Sequence, residues 1–206
     1  MRRGEASSPN AIDVVYPLQG QTLRRDHAQE LRQILGLRLP WLESDNAAGI
    51  HPIKLVPGND DPGLLSSRAR LLLRVSPQRF EKLIELAGSS LLMTGSELRL
   101  GLPHERKLLP HATLYAHRVA ASSPDELEFL QAVSEELEQL GIKGHRVCGK
   151  HQTMTLGRQE LNCFSLMLHA LAPSESLRLQ ELGLGAHRLL GCGIFVPHKS
   201  AAAVGA

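Results

Sequence analysis

The same succession of hydrophobic periods runs through this chain twice, and that repetition narrows its fold more than any other feature. In the first pass, Ile12 to Leu18 reads as a strand and Arg25 to Arg38 as a helix. Ile50 to Val56 reads as a second strand, and Gly58-Asn59-Asp60-Asp61-Pro62-Gly63 as a turn-rich loop. From Arg68 to Val75 the chain alternates. Ala69, Leu71, Leu73 and Val75 project to one side and Arg68, Arg70 and Arg74 to the other, which predicts a half-buried strand with a charged face. Ser76-Pro77 opens a helix striped by Phe80, Leu83, Ile84 and Ala87 and ended by Gly88, and Leu91 to Leu102, turning at Gly95, closes the pass.

The second pass repeats that order. Thr113 to Ala121 is a strand, and Ser123-Pro124-Asp125-Glu126 reads as a capping box. Leu127, Leu130, Val133, Leu137 and Leu140 then carry an amphipathic helix to Gly141. Strands follow near His145 to Leu156 and Leu161 to Leu171, then a short helix over Glu175 to Leu182 and a last strand over Gly191 to His198. Both passes spell β-α-β-β-α-β. The expected fold class is therefore α+β, with tandem ferredoxin-like domains over 11–108 and 109–200 and a disordered tail over 201–206.

That order hosts many functions, so function must come from residues. Hydrophobic residues make up 42% of the 206, enough for a packed core, but aromatics only 3%. Base recognition by aromatic stacking on the central strands is thus disfavoured, since only Phe164 could serve there. The net charge of +2 implies little until its clustering is seen. Gly141 to Gln159 carries Lys143, Arg146, Lys150 and Arg158 with His145 and His151 and no carboxylate, and His187, Arg188, His198 and Lys199 follow Glu181 without an acid. Such loops are either solvated basic surface or a nucleic-acid footprint.

Three cysteines, Cys148, Cys163 and Cys192, lack the C-x-x-C spacing of a zinc site or the even number of a disulfide framework. His111 and His117 are six apart, as are His145 and His151; on a strand that puts each pair about 20 Å apart, too far to share an ion. No metal and no cofactor are expected. Met1 to Asp13 has two early arginines but no apolar stretch, and no run reaches the length of a membrane span, so a soluble cytoplasmic protein is expected.

The richest motif is Gly183-Leu184-Gly185-Ala186-His187-Arg188-Leu189-Leu190-Gly191-Cys192-Gly193. Arg188 stands where a dinucleotide fingerprint needs its third glycine, and no G-K-[ST] follows, so neither that fold nor a P-loop is indicated. What remains is a glycine-rich loop whose backbone amides could approach a phosphate chain and whose Arg188 could fork onto a phosphate or a guanine edge.

A C-terminal G-h-G-x-x-x-x-x-G-h-G, with h apolar, after tandem ferredoxin-like domains resembles the CRISPR-associated endoribonucleases that cut precursor CRISPR RNA within its repeats. Ser176-Leu177-Arg178-Leu179-Gln180-Glu181 and Gly191-Cys192-Gly193-Ile194-Phe195-Val196-Pro197 resemble the MYXAN-type subgroup. So do Asp26-His27, Leu39-Pro40-Trp41-Leu42 and Gly49-Ile50-His51-Pro52-Ile53. The matches span roughly Asp13 to His198.

The resemblance implies metal-independent cleavage by 2′-hydroxyl attack, leaving a 2′,3′-cyclic phosphate (or 3′-phosphate) and a 5′-hydroxyl. It further implies retention of the mature guide RNA and association with other CRISPR effector subunits. His27 would be the general acid or base, which suits an imidazole titrating near neutrality. By spacing alone His27, four residues before Leu31 and seven before Ile34, could instead edge the core. Asp26 is placed to cap the helix, with Gln29 at the reciprocal position and His27 in the first turn.

Tyr16 is a candidate second catalytic residue, and Arg24 and Arg25 are candidates to offset phosphate charge. A structural role is expected for His51. A hairpin of the repeat RNA would be held by Arg68, Arg70, Arg74, Lys143, Arg146, Lys150, Arg158, Gly183, Gly185, His187, Arg188, Gly191 and Gly193. Two other readings stay open: a non-cleaving RNA-binding subunit of a CRISPR ribonucleoprotein, and a regulatory or metabolite-binding protein that touches no RNA.

Overall fold

In the first half of the computed structural model, which describes residues 10–198, eight strands and two helices follow one another. They are β1 (Ile12–Gln19), β2 (Thr22–Leu23), α1 (Ala28–Arg38), β3 (Gly49–Ile50), β4 (Gly63–Leu64), β5 (Arg70–Val75), α2 (Phe80–Ile84), β6 (Ser90–Met93), β7 (Ser96–Leu100) and β8 (His104–Lys107). The second half holds β9 (Leu114–Ala121), α3 (Glu126–Gln139), β10 (His145–Leu156), β11 (Gln159–His169), α4 (Pro173–Leu182) and β12 (Val196–Pro197). The tail expected over 201–206 and Lys199 lie outside the described residues.

The first sheet runs β3-β5-β1-β7-β6, with β8 also paired to β1, and the second runs β10-β11-β9-β12. In both, the opening strand lies between the third and fourth strands of its β-α-β-β-α-β unit and every pairing is antiparallel. The fold is thus tandem ferredoxin-like, as the sequence periods predict. Val14, Leu71, Leu73, Leu83, Leu91 and Leu98 are wholly buried in the first core, and Leu114, Leu166, Leu168, Leu179 and Phe195 in the second. No described helix is long and apolar enough to cross a membrane.

Several elements are shorter than their periods suggest. The strand expected over Ile50 to Val56 stops at Ile50; His51 adds one bond to Leu72 O, and then Pro52 has no N–H to offer. The helix after Pro77 begins as a 3-10 turn and is regular only over Phe80–Ile84. The last strand shrinks to Val196–Pro197, since Gly191 at φ 84° and Gly193 at φ 65° break the extended backbone over its expected start. An unforeseen strand, β8, pairs Val14 with Glu105 and Ile12 with Lys107. The capping box is also displaced. Asp125, not Ser123, caps α3, accepting from Leu127 N at 2.8 Å and Glu128 N at 2.9 Å.

The two halves meet through a buried charge cluster at one end of their junction. Arg74 is entirely buried, with Nε 2.8 Å from Asp13 Oδ1 and Nη2 3.2 Å from Asp13 Oδ2. Its Nη1 crosses to the second half and donates to Gln180 O at 2.7 Å and Phe195 O at 3.0 Å. Asp13 also accepts from Arg106 at 2.7 Å, and His51 Nε2 lies 3.3 Å away. Burial alone would raise the Asp13 carboxyl. The hydrogen bond and charge of His51 and Arg74 outweigh it and hold that carboxyl well below the usual carboxylate range. At the other end an apolar cluster of Met154, Cys163, Leu190 and Cys192 packs against Ala28 of α1 and Ala120 of β9.

Candidate functional site

Ala28, at that second end, is the first residue of α1, so its neighbour His27 stands at the helix start, in the N-cap position, without a side-chain cap bond. Asp26 is exposed and caps nothing, because the helix begins one residue later than its spacing suggests. The His27 ring turns inward instead and is 6% exposed. Its Nδ1 lies 2.8 Å from Arg24 O, and its Nε2 faces the Ile53 amide at 3.3 Å. A carbonyl only accepts and an amide N–H only donates, so these partners assign the proton to Nδ1 and the lone pair to Nε2. Burial pushes the His27 pKa down and the charge of Arg118 adds to that push, against the hydrogen bond to Arg24 O. The ring is therefore a neutral imidazole whose tautomer is fixed from behind.

The other expected site residues divide sharply. Tyr16 is wholly buried and gives its hydroxyl to Leu83 O at 2.6 Å, while burial pushes its phenol well above the ordinary range. That hydroxyl is committed to the core and has no proton for a substrate. Arg24 is exposed. Arg25 is tied to the 56–63 loop, its backbone amide on Asp61 Oδ1 and its Nε on Asp60 O, each at 2.8 Å. Arg68 is exposed and Arg70 half-buried, its Nη1 on Ala69 O at 2.8 Å.

Arg74 does not join them. The face of β5 expected to meet solvent is covered by the second half, so Arg74 is a buried link and is out of reach of RNA in this arrangement. His51 sits in the same cluster, as a structural role requires.

The glycine loop differs from expectation in the same way. Gly183 and Gly193 face each other: a Cβ on Gly183 would lie 2.3 Å from Gly193 O, and one on Gly193 2.0 Å from Leu184 O. A Cβ on Gly191 would meet Pro52 Cγ at 2.8 Å. These glycines let two stretches of protein backbone touch, not backbone and phosphate. Gly185 N is turned to the Glu136 carboxylate, at 2.9 and 3.0 Å. Arg188 fastens the halves, donating to Leu182 O at 2.9 Å and Ala47 O at 3.2 Å, and burial lowers its pKa to about 10. His187 stays exposed beside Gly185 and Ala186, in a left-handed conformation with φ 67°. Lys143, Arg146, Lys150 and Arg158 are exposed on and around the long β10–β11 hairpin.

The tip of that hairpin reaches α1, where Gly157 N donates to Gln29 Oε1 at 2.9 Å. Between them runs a shallow polar cleft of about 340 Å³, with Arg24, Gln29, Gln33 and Thr155 among its walls. Sequence reasoning missed the residue of the other half whose charge reaches His27. Arg118 acts electrostatically on His27, and His117 beside it feels Lys54 of the loop after β3. Among the described residues no group of three or more His, Cys, Asp or Glu is arranged to hold a metal ion.

Comparison with known proteins bears on this geometry. The family model Cas6, described as Cas6 Crispr, matches residues 12–200. The CRISPR-associated endonuclease Cas6 of Myxococcus xanthus is 32% identical over 194 residues, covering 94% of this chain and 84% of that protein. Among solved structures, a CRISPR associated protein Cas6 superposes with a TM-score of 0.64 at 11% identity, covering 92% of this chain and all of the other. An RAMP protein binding different RNA substrates superposes at 0.66 with 12% identity, covering 89% and 98%. At such identities the two structures speak for the fold.

Proposed function

This chain belongs to the Cas6 CRISPR family, and from that premise we propose that it is an endoribonuclease cutting precursor CRISPR RNA within its repeats, with His27 as the general base. The observation that carries the reading is the state of His27: a neutral ring, its proton held on Nδ1 by Arg24 O, its Nε2 lone pair met only by the Ile53 amide at 3.3 Å. A substrate 2′-hydroxyl displaces that long contact and gives its proton to Nε2. The 2′-oxygen then attacks the adjacent phosphorus and the 5′-oxygen leaves, taking a proton from solvent. The products are a 2′,3′-cyclic phosphate and a 5′-hydroxyl, with no step that needs a metal.

Binding in this reading rests on exposed basic and polar groups around the junction. Arg24, Arg68, Lys143, Arg146, Lys150 and Arg158, with the exposed His187, meet phosphates of a repeat hairpin, fixing register more than sequence. The mature guide RNA stays bound, and the complex joins other effector subunits. The burial of His27 favours a second reading, a non-cleaving RNA-binding subunit of the same assemblies.

The two readings separate in one assay. Repeat RNA from the chain's own CRISPR array is incubated in EDTA with wild type and His27→Ala, beside a substrate with a 2′-deoxy nucleotide at the cut. Cleavage at one site by wild type, survival of the deoxy substrate and binding without cutting by His27→Ala support the nuclease. Tight binding with no cutting by wild type supports the subunit.

A further inference from the structure

Two β-bulges in the second sheet fall at the same level, and the one on β9 carries Arg118, whose charge acts on His27. Along β9, Ala116 pairs with Leu166 and Val119 with Phe164, so His117 and Arg118 together oppose the single residue Ser165 of β11. Along β10, Cys148 pairs with Leu166 and His151 with Phe164, so Gly149 and Lys150 oppose the same Ser165. At the second bulge the chains lie close, since a Cβ on Gly149 would lie 2.3 Å from Ser165 Oγ and the serine side chain would have to turn away. A bulge leaves backbone groups without ladder partners and re-aims the side chain beside it.

Here both carbonyls of the β9 bulge are taken up. Gln152 Nε2 donates to His117 O at 3.0 Å, and Gly193 N donates to Arg118 O at 2.7 Å. The distortion is held by groups from β10 and from the glycine loop, as a built feature would be.

What the bulge aims is Arg118. Two residues on, Ala120 packs in the apolar cluster that holds Ala28, so this face of β9 looks at the start of α1. The Arg118 guanidinium is steadied at Nε by Gln152 Oε1 at 3.4 Å. Among the described residues its two terminal nitrogens have no hydrogen-bond partner, yet neither is sealed from solvent. Among the described residues no carboxylate forms a salt bridge with it. A half-buried arginine of this kind is a preorganised anion site: it holds two unused parallel donors in a fork that fits a phosphate.

We propose that Arg118 grips the scissile phosphate and stabilises the charge that develops on it, and that Gln152 is the positioning residue that holds the guanidinium there. The proposal rests on the nuclease reading above. Arg118 would touch non-bridging oxygens of the phosphate whose 2′-hydroxyl neighbour meets His27, so one arginine of the second half completes a site begun by the first. Its charge also disfavours protonation of His27, after the larger effect of burial, which keeps the base in its working form.

The test is single-turnover cleavage of the repeat RNA by the full chain, with binding measured separately on the 2′-deoxy substrate. Arg118→Ala is expected to slow cleavage by about 100- to 1,000-fold, as for loss of one oxyanion donor, with affinity for the deoxy RNA changed only a few-fold. Added methylguanidinium should restore part of that rate, and Arg118→Lys should keep part of it. The acid limb of the rate profile should move to higher pH in Arg118→Ala, since losing the neighbouring charge lets the His27 pKa rise. Gln152→Leu, which leaves the guanidinium in place but unsteadied, should lose roughly tenfold in rate.

Cleavage by Arg118→Ala within threefold of wild type would overturn the proposal while leaving the nuclease reading intact. Equal losses of cleavage and deoxy-RNA binding, with no guanidinium rescue and an unmoved pH profile, would overturn it too and make Arg118 a structural or general binding residue. If Arg118→Ala fails to fold, an undiminished rate in Gln152→Leu together with no slowing in Arg118→Lys overturns it. Failure of wild type itself to cut overturns the nuclease reading, and the assignment of Arg118 with it.

Discussion

Arg74 and Arg118 both stand on a strand near the junction of the two halves, and they meet opposite surroundings. Arg74 spends every nitrogen: Nε and Nη2 on Asp13, Nη1 on two carbonyls of the other half. Among the described residues the Arg118 side chain has one long contact, to an uncharged amide, and no acid. A buried arginine whose donors are all used can only hold things together. One left half-satisfied beside a neutral histidine is available to a ligand. On the proposed reading, chemistry at this junction is separated from cohesion by where the carboxylate sits, since Asp13 lies at one end and, among the described residues, none pairs with Arg118 at the other.

The largest effect that sharpens this contrast is expected at the open end. His27→Ala should lower single-turnover cleavage by about 10²- to 10⁴-fold, the usual range for a general base, and lower the thermal midpoint by less than Arg74→Met does, since it removes a neutral ring and not the partner of a buried charge. A fall in stability as large as that of Arg74→Met would erase the distinction between the two ends.

At the closed end, Arg74→Met should cost about 3–5 kcal/mol of stability, because Asp13 stays buried with its main partner gone; urea unfolding measures it. Asp13 also sets a pH signature. Its folded pKa lies below the unfolded 3.8, so its contribution is complete above about 4 and is lost as pH falls from there toward the folded value. Urea midpoints of wild type should therefore drop steadily between pH 4 and 2, and the drop should be shallower in Arg74→Met.

Between the ends lies the glycine loop. Gly191→Ala places a Cβ 2.8 Å from Pro52 Cγ at φ 84°, a conformation costly for alanine, so a loss of roughly 1–3 kcal/mol is expected. If Gly191→Ala instead left stability untouched and weakened only RNA affinity, the loop would be a phosphate cradle after all.

How much of this was legible in the sequence follows from what periodicity can carry. The tandem fold was readable because Pro77 opens one helical turn, Pro124 stands just before the cap of α3, and Arg68 to Val75 alternates. The fate of Arg74 was not, since alternation separates two faces of a strand but does not say whether water or a second domain covers the polar one. Glycines likewise announce close approach without naming what approaches, and at Gly183, Gly191 and Gly193 it is protein. His27 could be singled out, but its tautomer depends on Arg24 O and Ile53 N, 26 residues apart from it in one case. Arg118 left no mark, because a β-bulge is a mismatch between two strands and neither strand's own pattern records it.

The smallest effect concerns cations that lie at neither end of the junction. Arg146 is exposed on β10, with no acid paired to it among the described residues. If it meets one phosphate of the hairpin stem, Arg146→Ala should weaken binding of any A-form stem alike and lower the slope of log affinity against log salt by about one. Arg118→Ala, by contrast, should change that slope little, since its contact strengthens as the phosphate charge develops and so is expressed in rate. Titrations of the deoxy substrate at several salt concentrations compare the two directly. A slope change of one unit in Arg118→Ala without the expected rate loss would class it with Arg146 as an ordinary ground-state phosphate contact, and the chemistry at the open end would then rest on His27 alone.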